Sequence, residues 1–264
     1  MIMLRLFLLV LMINPLVANE DFLSDKIITK VEAGLFLPKI SGSVSNVADE
    51  GDFEKDFTYM DSSATYLSLE ILLDYDYVPN LDISYFNLQD SQHATLDRNL
   101  TVADGTFGSD VATVIDYQIA TATLFQDFKI KGDYISLFGS GLYSGDLEFD
   151  IGMSTKLVSW NFEVRDLTLP ATNPSSWIHV DQLIVLPYLG VKYYLYDFLL
   201  HADVNALSFS DAKSISYEAA IDYRVVGGVY LSAAYLHEEF KADEEDDTVT
   251  FGTSGYRLSF KYAF

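Results

Sequence analysis

Apolar and polar residues alternate along most of this chain with a period of two. One parity reads Val31, Ala33, Leu35, Leu37; then Thr65, Leu67, Leu69, Ile71, Leu73; then Ile115, Tyr117, Ile119, Thr121; then Phe198, Leu200, Ala202, Val204; then Ile215, Tyr217, Ala219, Ile221, Tyr223. None of these is charged. The other parity holds Lys30, Glu32, Glu70, Asp82, Asp116, Gln118, His201, Asp203, Asn205, Glu218, Asp222, Arg224, Arg257 and Lys261. Successive side chains of a strand point to opposite faces, so the pattern predicts strands with one greasy and one polar face. Reading between turn signals gives ten, at 29–41, 62–74, 80–92, 111–127, 133–148, 178–195, 198–209, 214–225, 228–240 and 249–264.

The connections fall into two alternating classes. Short ones sit at Asp76–Asn80, Phe128–Gly132, Tyr196-Asp197 and Val226-Gly227; long polar ones at Gly42–Asp61, His93–Asp110, Phe149–Trp177, Ser210–Lys213 and Lys241–Thr248. This rhythm predicts an all-β fold: a closed up-and-down antiparallel transmembrane β-barrel of ten strands, with eight and twelve as the neighbouring counts. An even count returns both termini to the periplasmic side. Alternation alone does not decide which face is inside, since a soluble barrel would enclose the apolar parity. Three features favour the membrane version. The apolar runs match the ~9–11 residues a tilted strand needs to cross. Aromatic residues gather near expected periplasmic strand ends, at Tyr75, Tyr77, Tyr188, Tyr193, Tyr194, Tyr196, Phe198, Tyr262 and Phe264, as in an interfacial girdle. The last strand is strongly amphipathic.

That strand reads GYRLSFKYAF, with Tyr256, Leu258, Phe260, Tyr262 and Phe264 on alternate positions. It resembles the ending of Gram-negative outer-membrane β-barrel proteins. The resemblance implies an assembly signal on these five residues, folding through the barrel-assembly machinery and periplasmic chaperones, and residence among outer-membrane lipid and lipopolysaccharide. In lipid an open sheet edge is prohibitively costly, so the last strand is expected to pair with the first.

Other features adjust this picture. Leu6–Ile13 is an unbroken apolar run behind Arg5, followed by Pro15 and the small Ala18, which reads as a signal peptide over 1–18 and leaves 19–264 as a single barrel domain. There is no cysteine, so neither disulfides nor a cysteine-linked lipid anchor enters the account. The formal charge is −23, and without Arg5 it is −24, which disfavours binding to nucleic acid.

For function, the polar parity predicts a lumen network of Lys30, Glu32, Glu70, Asp116, His201, Asp203, Glu218, Asp222, Arg224, Arg257 and Lys261. Ten strands lie near the barrel size that fills its own interior. The expectation is therefore a largely plugged, monomeric barrel with a structural or surface-interaction role. A narrow cation-preferring pore is the alternative, and a rim hydrolase the second. His201 and Asp203 share a strand face but lie near the periplasmic end. His179 with Asp181, and His237 beside Glu238 and Glu239, lie nearer the outer rim, where solvated residues are the simpler reading. The acidic runs Asp49–Asp56 and Asp243–Asp247 lack the spacing of a calcium loop and read as solvated loop tips. No catalytic residue, cofactor or metal ligand is assigned. The long Phe149–Trp177 connection is where a specific function is expected to reside.

Overall fold

A computed structural model describes residues 27–264 apart from 46–48, 60–61, 74, 76, 104, 133, 138–139, 144, 169–174, 209–211 and 245–246. The expected signal peptide over 1–18 lies outside the described residues. Ten long strands form the wall: β1 Ile27–Ser45, β2 Ala64–Leu73, β3 Asn80–Thr95, β4 Asp110–Ile130, β5 Asp146–Asp166, β6 Ser175–Leu195, β7 Phe198–Ser208, β8 Ala212–Val226, β9 Val229–Glu244 and β10 Asp247–Ala263. Each pairs antiparallel with the next, and β10 closes the ring on β1, from Lys30 opposite Ala263 to Ser45 opposite Thr248. The C-terminus is held by that seam, since Phe264 N–H donates to the Thr29 carbonyl at 3.0 Å and the Phe264 carbonyl accepts from Thr29 N–H at 3.0 Å. Gly42 sits in the seam at φ 111°, where a Cβ would stand 2.1 Å from the Thr250 carbonyl oxygen, so a side chain is excluded there.

The strand count matches expectation, but one strand is displaced. Phe149–Asp166, expected as a long outer connection, is most of β5, paired in register with β4 and β6 over its length. The segment expected as the fifth strand instead contributes a small ribbon, Tyr134–Leu137 with Ser140–Tyr143, in the connection from β4 to β5. That connection leaves the end of the barrel carrying Ile27 and Phe264, the terminal end. The short turn expected at Phe128–Gly132 is therefore the start of a longer excursion. The outer connection from β5 to β6 shrinks to residues 167–174.

The two halves of the barrel have opposite polarity. Toward the terminal end, the outward face carries an exposed apolar belt: Leu124 and Phe128 on β4, Ile151, Met153 and Leu157 on β5, Leu183, Val185 and Leu189 on β6, Leu200 on β7, Ile221 on β8, and Leu258 and Phe260 on β10. On β6 its outward positions run from Leu183 to Leu195, which in a tilted strand covers roughly 25–30 Å, the height of a lipid-facing band. Toward the opposite, loop end, outward positions turn polar. Gln89 donates to Asp116 at 3.1 Å, Gln118 donates to Asp116 at 3.1 Å, and Tyr85 donates to Gln118 at 3.1 Å.

Inside the loop end the order is reversed, and an aromatic plug fills the bore. Trp160, Phe162, Tyr117, Phe240 and Phe251 come from the wall, while Phe53, Phe57 and Tyr59 come from the connection after β1, all fully or almost fully buried. Most of their rings meet edge-on or tilted, with Tyr117–Phe251 centroids at 4.6 Å, Phe57–Phe162 at 5.1 Å and Phe53–Phe162 at 5.2 Å, while Trp160 stacks on Phe162 and Tyr117 on Phe240. The acidic run Asp49–Asp56, expected as a solvated tip, builds the turn that drives these rings inward. Asp52 Oδ1 accepts from the amides of Glu54 at 3.0 Å and Lys55 at 2.9 Å, and its carbonyl accepts from the amides of Asp56 and Phe57. Arg98, from the next loop, donates to the Glu50 carbonyl at 2.6 Å and to Asp49. Partial burial opposes ionisation of Asp49, but the Glu50 amide, Arg98 and the Thr101 amide outweigh it and hold that carboxyl below its ordinary range.

Candidate functional site in the lumen

Beneath the plug, β1, β2 and β5–β10 aim ionic side chains into the bore. Their lipid-facing neighbours are apolar, so the two-residue period delivers charge to the interior. The first group centres on Arg257, 1% exposed. It donates through Nη1 to Glu218 Oε2 at 2.9 Å and through Nη2 to the other Glu218 oxygen, and its Nε lies 3.0 Å from Glu32 Oε1. The guanidinium also lies 3.9 Å from the centroid of the Tyr66 ring. Ser259 donates to Glu32, and Lys261 reaches Asp222 at 2.8 Å and Glu32 at 3.5 Å.

A second group surrounds Lys192, whose Nζ meets Asp150 at 2.9 Å, Glu148 at 3.1 Å and Glu70 at 3.3 Å. Lys30 donates to the other Glu70 oxygen at 2.6 Å. In the third, Lys156 donates to both oxygens of Glu238, at 2.7 and 2.8 Å, and to Ser216 at 2.7 Å. Arg257, Lys261 and Lys192 each lie between carboxylates of different strands, and Lys30 and Lys156 each pair with a carboxylate of another strand, so the network ties the wall across the bore.

A cavity of about 340 Å³ runs among these groups. Phe36, Phe86, Ile119 and Leu236, at the base of the plug, form its roof. Tyr196, Asp197, Phe198 and Tyr230 line the other end, at the turns of the terminal end. The bore is thus a pocket open at one end only. Apolar belt outside, ion network inside and a sealed ring of strands together leave no face for solution except the two rims.

The fold is a closed ten-stranded transmembrane-type β-barrel.

Known structures share that architecture. Similar ones include the translocator domain of the autotransporter NalP from Neisseria meningitidis, at 12% identity over 96% of this chain and 92% of that one with a TM-score of 0.45. The outer membrane protease OmpT from Escherichia coli matches at 12% identity over 94% and 99%, TM-score 0.41. The attachment invasion locus protein Ail of Yersinia pestis, in complex with the heparin analogue sucrose octasulfate, matches at 10% identity over 90% and 99%, TM-score 0.37. No protein-family model and no curated protein sequence matches the chain.

Within this barrel, Lys30, Glu32, Glu70, His201, Asp203, Glu218, Asp222, Arg257 and Lys261 all line the same cavity. Arg224 stands at its mouth, exposed, with Nε donating to Asp197 of the adjacent turn at 2.9 Å. Asp116 is a correction. It lies on the outer face of β4, and the Ile115, Tyr117 and Ile119 parity expected to face lipid points inward. The physical reason is that β4 rises past the belt into the plugged half, where the interior is apolar and the exterior meets water. Tyr188 and Tyr194, expected in the girdle, also face inward, Tyr194 donating to Glu148 at 3.5 Å.

Asp150 and Lys156 escaped the sequence reading because most of β5 was read as a loop, while Glu148 and Lys192 lay in expected strands but were not assigned to the lumen. The signal was present, since Glu148, Asp150 and Lys156 alternate with Phe149, Ile151 and Leu157. Of the rim histidines, His179 lies on the outer wall, with Nε2 2.8 Å from Asp181 and Nδ1 against Asn161. His237 also faces outward and stacks on Tyr217 at 4.8 Å. Neither points into the cavity's ion network. Tyr256, Leu258, Phe260 and Tyr262 all face outward and are more than half exposed.

Proposed function

We propose that this barrel is non-conducting and acts as a structural or surface-interaction element of the outer membrane. The observation that carries the reading is the plug: Phe53 and Phe57 of the first loop are fully buried against Trp160, Phe162 and Phe251, closing the bore at the loop end. A narrow pore would need a continuous wet path past these rings, and the cavity beneath them ends at the plug's base. The rim hydrolase finds little support, because His179 and His237 sit on the outer wall with hydrogen-bonding or stacking partners of their own. The belt contacts lipid, and the charged loop end meets the lipopolysaccharide leaflet. The exposed Tyr256, Leu258, Phe260 and Tyr262 serve as the assembly signal, read by the barrel-assembly machinery after chaperoned transit, and the protein works as a monomer.

The test is single-channel recording of the purified protein in a planar bilayer. The reading expects insertion without a steady ohmic current. A stable conductance step overturns it in favour of the pore.

A further inference from the structure

The register of the wall sets carboxylates directly opposite one another inside the lumen, among them Asp203 against Glu218 on β7 and β8, and Glu70 against Asp82 on β2 and β3. Like charges at opposed positions are destabilising unless something positive lies between them. Lys30 and Lys192 serve Glu70, and Arg257 serves Glu218. Asp203 and Asp82 both line the cavity, and neither forms a hydrogen bond or ion pair among the described residues. Across the whole lining eight carboxylates stand against six lysine and arginine side chains, a formal excess of two negative charges in a pocket that water enters from one end.

Beside Asp203 on the same inward face stands His201, and one ligand atom each from His201, Asp203 and Glu218 lies within 4.8 Å of the others. A carboxylate and an ammonium group stand behind the imidazole. Its Nε2 faces Asp222 Oδ1 at 3.7 Å and Lys261 Nζ at 3.4 Å, so Nδ1 is the nitrogen left for a ligand. Asp222 is 3% exposed, and that Oδ1 has no hydrogen-bond partner. A carboxylate behind a histidine ring is the arrangement that fixes ring orientation and raises basicity in metal sites.

We propose that His201, Asp203 and Glu218 form a binding site for a divalent transition-metal ion entering from the terminal end of the lumen, with Asp222 orienting His201 and Arg257 holding Glu218. An imidazole with two carboxylates suits zinc and its neighbours better than calcium or magnesium, which take oxygen ligands throughout. Because the cavity is far larger than an ion, water fills the remaining coordination positions and the site stays exchangeable.

The test uses the full-length barrel purified from membranes in detergent and stripped with a chelator, titrated with zinc alone by isothermal calorimetry. Saturable uptake near one ion per chain is expected, weakened about tenfold or more by His201→Ala and by Asp203→Asn. His179→Ala, which alters the outer-wall histidine, leaves it unchanged. Heat-dependent gel mobility checks that each variant is a closed barrel. If neither lumen variant folds, cobalt absorption of the wild-type protein decides. Visible bands that zinc abolishes, with an envelope of nitrogen and oxygen ligands, support the site, since the chain has no cysteine. Absence of saturable zinc uptake, uptake indifferent to His201→Ala and Asp203→Asn, or uptake lost with His179→Ala overturns the proposal.

Discussion

The last strand, β10, passes through both halves of the barrel and shows how they differ. Near the terminal end its outward residues are Tyr256, Leu258, Phe260 and Tyr262, and its inward ones are Arg257, Ser259 and Lys261. A few residues toward the loop end, outward positions are Thr248, Thr250 and Ser254, while inward Val249 and Phe251 are completely buried in the plug. One half is a membrane protein, greasy outside and ionic within. The other is built like a soluble barrel standing above the bilayer. The strand keeps its period of two throughout; only the medium outside changes, from hydrocarbon to water, and the interior changes with it.

This contrast orders the expected effects of mutation. The largest belongs to the ion network. Arg257→Leu leaves Glu218 and Glu32 without their guanidinium, and breaking a buried pair from one side costs about 3–5 kcal/mol, measurable by urea unfolding in lipid vesicles. Next, Leu258→Arg places a charge in the belt and costs about 2–4 kcal/mol in the same assay. Thr250→Arg, the same new side chain on the same outward face of the same strand, costs only about 0–1 kcal/mol, because that position lies above the belt. Equal costs at 250 and 258 would erase the distinction between the halves.

The smallest effect concerns the strap over the plug. The Asp49 carboxyl is held below its ordinary range, so its contribution is present above the unfolded carboxylate value of about 3.9 and is lost as pH falls through the folded value. In a Trp177→Phe background, Trp160 emission should shift to the red on acidification below that range. Asp49→Asn should show part of the shift at neutral pH. An emission unmoved by Asp49→Asn would show that the strap does not order the plug.

What the sequence revealed follows the same division. In the belted half, hydrocarbon outside and ions inside make the alternation unambiguous, and ten of the eleven lumen residues expected from parity line one cavity or its mouth. In the plugged half the same alternation carries the reverse meaning. Asp116 and Gln118 were assigned inward because polarity was read without height along the strand. Phe53 and Phe57, four apart in an acidic run, looked like decoration of a solvated loop. Their destination depends on a bore closed by strands that are distant in sequence. The displacement of β5 has another cause: the Tyr134–Leu137 and Ser140–Tyr143 ribbon carries strand-like sequence, so one strand's worth of pattern was spent on a hairpin outside the wall.

The reversal can be measured directly. Because the chain contains no cysteine, single cysteines at positions 248, 250, 254, 256, 258 and 260 can carry a nitroxide without background labelling. In lipid vesicles, electron paramagnetic resonance should find labels at 256, 258 and 260 accessible to oxygen and shielded from a water-soluble nickel chelate, with the preference inverted at 248, 250 and 254. Labels at 258 and 260 that meet the nickel chelate as freely as those at 250 would contradict a lipid-facing belt and, with it, the enclosed ion network.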